Sequence, residues 1–114
     1  MGKVSIMDIT VTQLKQFQVV AVSGRLDALT APAFEAEARK LLEQGARAII
    51  LDMSDLEFVS SAGLRAILTL AKSLRSAQGE VRFAGLRPAV QEVFAISGFT
   101  SLFPIHRTLE EAGG

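Results

Sequence analysis

The sequence predicts an α/β domain built on a mixed, mainly parallel sheet of about five strands, opening with a β-hairpin and carrying its helices on one face. Three observations lead there. Short apolar runs recur along the chain, as expected of buried strands. Segments with apolar residues at helical spacing stand between them. The first two strand-like runs are separated by too few residues for a crossover, which makes them an antiparallel pair. Helices alternating with buried strands require crossovers, and crossovers make neighbouring strands parallel. A chain of 114 residues suffices for one domain with one core, residues 1–114, and is too short for two.

Each element has its own signal. Val4, Ile6, Ile9 and Val11 alternate imperfectly with polar residues as a first strand; Gln13 to Gln16 reads as a turn, and Phe17 to Val22 as the second strand. Ser23-Gly24-Arg25-Leu26-Asp27 leaves that strand as a loop. Thr30 followed by Pro32 marks a helix start, with Glu35 and Glu37 near its positive end. This helix buries Phe34, Ala38, Leu41 and Leu42 and ends near Gly45. Ala48 to Asp52 is a third strand, and Asp52 to Phe58 reads as a loop. From Ser61 to about Ala77 a second helix places Leu64, Ile67, Leu68, Ala71 and Leu74 at helical spacing. Gln78-Gly79 stops it. Val81 to Ala84 is a fourth strand. Pro88 opens a third helix with Val90, Val93, Phe94 and Ile96 on one side, closed by Gly98. Phe99 to Ile105 is short and apolar, with Phe94, Phe99 and Phe103 assigned to the core. Ile105-His106 reads as an edge strand and Thr108 to Ala112 as a helical turn.

Composition excludes several function classes. Twelve basic and twelve acidic residues give zero formal net charge, which argues against nucleic-acid binding. No cysteine is present, so neither a disulfide framework nor a thiolate metal site is available. The single histidine, His106, cannot build a histidine-rich metal site and has no assigned role. No apolar run approaches the roughly 18 residues of a membrane span, so no membrane insertion is expected. The first residues lack a signal-peptide pattern, and Ile6 stands where a myristoylation site needs Ser or Thr. A cytoplasmic location is the expectation.

The chemistry concentrates where the third strand passes into the second helix. Ser60, Ser61, Ala62 and Gly63 are small, and they bring a hydroxyl to the electropositive end of a helix at a sheet rim. The serines read either as helix caps or as acceptors of a phosphoryl group, whose dianion the free amides and the dipole tolerate. Acyl-transfer chemistry is disfavoured, because no Gly-x-Ser-x-Gly elbow exists and His106 is the only base. Asp27 reads as a turn residue or as an acidic contact on the same rim. Asp52 and Asp55 read as a solvated turn, since two carboxylates alone make a weak cation site. Arg65, Lys72 and Arg75 fall near one face of the second helix, either a solvated face or a docking surface for an acidic partner. No nucleotide-binding glycine motif is present.

The run from Asp52 to Leu64, DMSDLEFVSSAGL, resembles the signature of STAS domains, specifically of bacterial anti-sigma factor antagonists. Gly24-Arg25-Leu26-Asp27 is similar to the family's Gly-x-Leu-Asp after its second strand. The resemblance spans essentially the whole chain. It implies a non-enzymatic protein without cofactor or metal that switches partners. The unphosphorylated form binds an anti-sigma factor serine kinase and so frees a sigma factor. Phosphorylation by that kinase releases the antagonist, and a PP2C-type phosphatase resets it. Aligned on Gly63, the family's phosphoserine falls on Ser61, with Ser60 as second choice. Asp27, Ser60, Ser61, Ala62, Gly63 and Arg65 are the implied partner contacts. One departure stands out: the family's Asp before the phosphoserine is Ser60 here, and Ala62 follows Ser61. The alternatives are a STAS subunit of a membrane lipid-transport complex, never phosphorylated, and a small-molecule-binding STAS sensor.

Overall fold

A six-stranded sheet organises the structure, a computed structural model that describes residues 7–114. The elements run β1 (Met7–Leu14), β2 (Phe17–Leu26), α1 (Ala31–Glu43), β3 (Ala48–Asp52), β4 (Leu56–Val59), α2 (Ser61–Ser76), β5 (Glu80–Ala84), α3 (Pro88–Ile96), α4 (Phe99–Leu102), β6 (Ile105–His106) and α5 (Leu109–Gly113). Val4 and Ile6, read as the start of the first strand, lie outside the described residues.

β1 and β2 form the expected hairpin, in register from Met7 opposite Gly24 to Leu14 opposite Phe17. Gln13 therefore belongs to the strand, and the turn contracts to Lys15 and Gln16, with Lys15 at φ 55°. The remaining pairings are parallel, in the order β1-β2-β3-β5-β6.

The largest correction concerns β2. It continues through Ser23-Gly24-Arg25-Leu26, where a loop was expected, because β4 pairs with its far end. Gln18 to Ala21 of β2 pair with β3; Gly24 to Leu26 pair with β4, past an irregularity between Gly24 and Arg25. The stretch expected as a loop from Asp52 to Phe58 thus contains a strand. Leu56 and Val59 point into the core, whereas Glu57 and Phe58 are exposed.

One face of the sheet holds the main core. Val20, Val22, Leu26, Ile49, Leu51 and Phe83 meet Phe34 and Leu41 of α1, Ile67, Leu70 and Leu74 of α2, and Phe94 of α3. Burying each such aliphatic side chain contributes about 1.5–3 kcal/mol. On α2 the buried stripe is Ala66, Ile67, Leu70, Ala71 and Leu74, so Leu64 and Leu68 are only half-buried. On α3 Ile96, expected on the apolar side, is exposed. Glu35 and Glu37 lie beyond the first turn of α1, too far along to meet its positive end. The rings of Phe83, Phe94, Phe99 and Phe103 close a quartet with centroids 5.2–5.4 Å apart.

The opposite face is smaller. Phe17, Val19, Ile50 and Ala84 pack there against Ala112 of α5. Arg82 joins the layers: its guanidinium lies 4.7 Å above the Phe17 ring and donates to the Ala112 carbonyl at 2.7 Å.

Candidate functional site

The ends of two neighbouring strands define the site. Leu26 ends β2 beside Val59, which ends β4, and the Ser60 amide donates to the Leu26 carbonyl at 2.9 Å. Asp27 follows the first strand and Ser61 the second. The pairing therefore brings to one rim the two residues whose proximity sequence spacing leaves open.

Ser60 and Ser61 divide the work between them. Ser60, in extended backbone, is the N-cap of α2, and its hydroxyl accepts from the Gly63 amide at 3.3 Å. Ser61 is the first helical residue. It is exposed, and its hydroxyl makes no hydrogen bond among the described residues. Ala62 is half-buried and Arg65 is exposed. Gly63 is buried: a Cβ there would lie 2.5 Å from the Leu26 carbonyl oxygen and 2.9 Å from a Val59 methyl. Its lack of a side chain lets α2 start against the end of β2.

Asp27 is the most constrained side chain at the rim. Its carboxylate accepts from the amides of Leu29 at 3.0 Å and Thr30 at 3.2 Å, and lies 3.6 Å from the Arg25 guanidinium. The Thr30 hydroxyl accepts from the Asp27 amide and donates to the Arg25 carbonyl. Partial burial raises the Asp27 pKa, but the hydrogen bonds from Thr30 and Leu29 and the charge of Arg25 outweigh it. The net displacement is below the ordinary carboxylate value of 3.8. Thr30 itself precedes α1 without capping it through its side chain.

Three apolar or cationic neighbours escaped the sequence reading. Leu29 is 80% exposed on the turn that Asp27 braces. Phe58 is exposed on β4, and Arg25 stacks on its ring at 4.3 Å. Their signal was faint: an aliphatic residue inside a turn, and an aromatic one next to a single charge, Glu57.

Asp52 and Asp55 hold the β3–β4 turn. Asp52 accepts from the Ser54 hydroxyl at 2.6 Å and the Ser54 amide at 3.1 Å. Arg87, just before α3, donates to the Ser54 carbonyl at 2.8 Å and lies 3.6 Å from Asp55. No cluster of three or more potential metal-ligating side chains occurs among the described residues. Nor is any helix there long and apolar enough to cross a membrane.

Known proteins share this fold. A family model described as the STAS domain matches residues 8–112. BtrV of Bordetella bronchiseptica, provisionally named an anti-sigma factor antagonist, is 39% identical over 106 residues, covering 93% of this chain and 91% of that protein. An anti-sigma factor antagonist from Mycobacterium paratuberculosis superposes with a TM-score of 0.85 at 27% identity, over 93% of this chain and 90% of that one. The anti-sigma factor antagonist SpoIIAA in its unphosphorylated form superposes with a TM-score of 0.79 at 25% identity, over 92% of each chain.

Proposed function

The chain belongs to the STAS domain family, and we propose that it acts as an anti-sigma factor antagonist whose binding is switched at Ser61. The observation that carries this reading is the exposed Ser61 hydroxyl at the start of α2, left uncommitted because Ser60 does the capping. A phosphoryl acceptor needs little from its own chain beyond an accessible hydroxyl. The enzyme supplies the catalytic groups, so the antagonist itself performs no chemistry.

The partner in this reading is an anti-sigma factor that is also a serine kinase, and a PP2C-type phosphatase reverses the modification. The rim offers that kinase a mixed surface. Leu29 and Phe58 provide apolar area, and Asp27, fixed by the Leu29 and Thr30 amides, provides a negative charge in a defined direction. An exposed side chain on a rigid turn loses little entropy when a partner covers it. The family's acidic residue before the phosphoserine is absent, so Asp27 is the acidic group this rim retains beside the serines. SpoIIAA, described in an unphosphorylated form and, at 24% identity, also in a phosphorylated one, is a relative with two such states.

The test is incubation with the cognate anti-sigma factor kinase and ATP, followed by peptide mapping. One phosphate is expected on Ser61. A phosphate on Ser60 alone would overturn the assignment of the acceptor. No phosphate, from a kinase active on another substrate, would overturn the switch.

A further inference from the structure

A concavity lies well away from the serines, between the C-terminal half of α2, the start of β5 and the segment joining α4 to β6. It is a groove of about 430 Å³, within the range that holds small-molecule ligands. Leu68, Ala71, Val81 and Phe103 give it an apolar lining, and Leu102 beside them is left 59% exposed. Phe103 is held in place by its ring contacts with Phe83 and Phe99.

Two cations share this groove. Lys72 and Arg75 are three residues apart on α2, hence neighbours on its surface, and both line the groove. Neither has an ion pair or a side-chain hydrogen bond among the described residues. Glu80 is the one carboxylate among the lining residues, and it is engaged elsewhere: its Oε1 lies 3.0 Å from Arg82 Nε, and the Arg82 guanidinium stacks on Phe17 across the sheet. The groove thus joins apolar area to unbalanced positive charge.

We infer that this groove binds a single-chain amphiphilic anion, a medium-length alkyl carboxylate, with its tail along Leu68, Ala71, Val81 and Phe103 and its carboxylate at Lys72 and Arg75. An anion without a tail would leave the apolar lining wet. A tail without an anion would leave both cations unused. The site is separate from the switch: Lys72 and Arg75 lie eleven and fourteen residues along α2 from Ser61, roughly 16–21 Å by helical rise.

The test is a titration of the isotope-labelled full chain with sodium decanoate below its micelle concentration, read by backbone amide shifts and calorimetry. Saturable binding to one site is expected, with shifts centred on the C-terminal half of α2 and on Leu102 to Pro104. Decanol, lacking the charge, should bind about tenfold more weakly, and added salt should weaken decanoate. The double variant K72E/R75E changes only exposed side chains, so it should melt like the parent while losing about tenfold or more in affinity. Equal binding of decanol would overturn the proposal. So would full affinity in a folded K72E/R75E, or shifts gathered around Leu29 and Phe58. Binding to anionic vesicles without any response to monomeric decanoate would also overturn it, in favour of a membrane surface.

Discussion

The Ser60 hydroxyl accepts from the Gly63 amide at 3.3 Å, and that one bond decides which of two adjacent serines caps α2 and which stays available. Replacing a capping serine by alanine costs about 0.5–2 kcal/mol. Ser60→Ala should fall in that range. Ser61→Ala removes an exposed hydroxyl without a partner and should change stability by no more than about 0.5 kcal/mol. Denaturant melts of the two variants decide. Equal losses would mean that both hydroxyls serve the helix, and that Ser61 is not uncommitted.

The core stripe of α2 gives a second contrast. Leu74 is fully buried, whereas Leu68 is half-buried at the edge of the groove. Leu74→Ala should cost about 2–5 kcal/mol through lost burial and a residual cavity. Leu68→Ala exposes less new surface to vacancy and should cost clearly less than Leu74→Ala. Urea midpoints at constant slope measure both. A Leu68→Ala loss matching that of Leu74→Ala would contradict the packing described.

What the residues revealed in advance follows from how local each signal is. β3 and α2 were legible because Ala48 to Leu51 is uninterrupted and the helical stripe is long. Even so, Leu70 and Ala66 were missed, because the sheet to which α2 presents its face is set by tertiary contacts. β4 was illegible for a different reason. Its four residues do not alternate, since Glu57 and Phe58 are both exposed between buried Leu56 and Val59, and only pairing with the far half of β2 makes them a strand. The rim depends on that pairing. Ser61 was readable as a helix-start serine, and Asp27 as a turn acid. Their common location rests on the non-local neighbours Leu26 and Val59, which no spacing rule supplies. The division between Ser60 and Ser61 needed the backbone of Ser60, extended at ψ 178°.

Asp27 should leave a signature in acid. Its folded-state pKa lies below the ordinary 3.8, so the deprotonated carboxylate stabilises the native chain. That contribution is fully present above about pH 4 and is lost as pH falls through the depressed native value. Asp27→Asn should therefore be less stable than the parent at neutral pH. The gap should narrow on acidification below pH 3.8, as the parent loses what the variant never had. Urea melts at neutral pH and at successive points below pH 4 follow it. A gap that stays constant, or widens in acid, would mean that the carboxylate charge is not what braces the turn.

Phosphate at Ser61 should act on the interface and leave the fold alone. A phosphoserine carries about −1.5 to −2 charges at neutral pH. At the start of α2 it meets a partial charge of roughly +0.5, worth about 0.3–1 kcal/mol in its favour at an exposed position. The helix therefore tolerates it. A partner packed over Ser61 would have to strip water from that dianion, and an unmatched buried charge costs several kcal/mol. Each 1.4 kcal/mol is about tenfold in affinity, so release requires no conformational change. Ser61→Ala should keep binding the kinase and escape inactivation. Ser61→Asp and Ser61→Glu, with one charge, should bind at least about tenfold more weakly while melting within a few degrees of the parent. Calorimetric affinities paired with melting curves separate the two effects. Acidic variants that bind as tightly as Ser61→Ala, at equal stability, would refute electrostatic exclusion; acidic variants that unfold would place the effect of the charge in the fold instead.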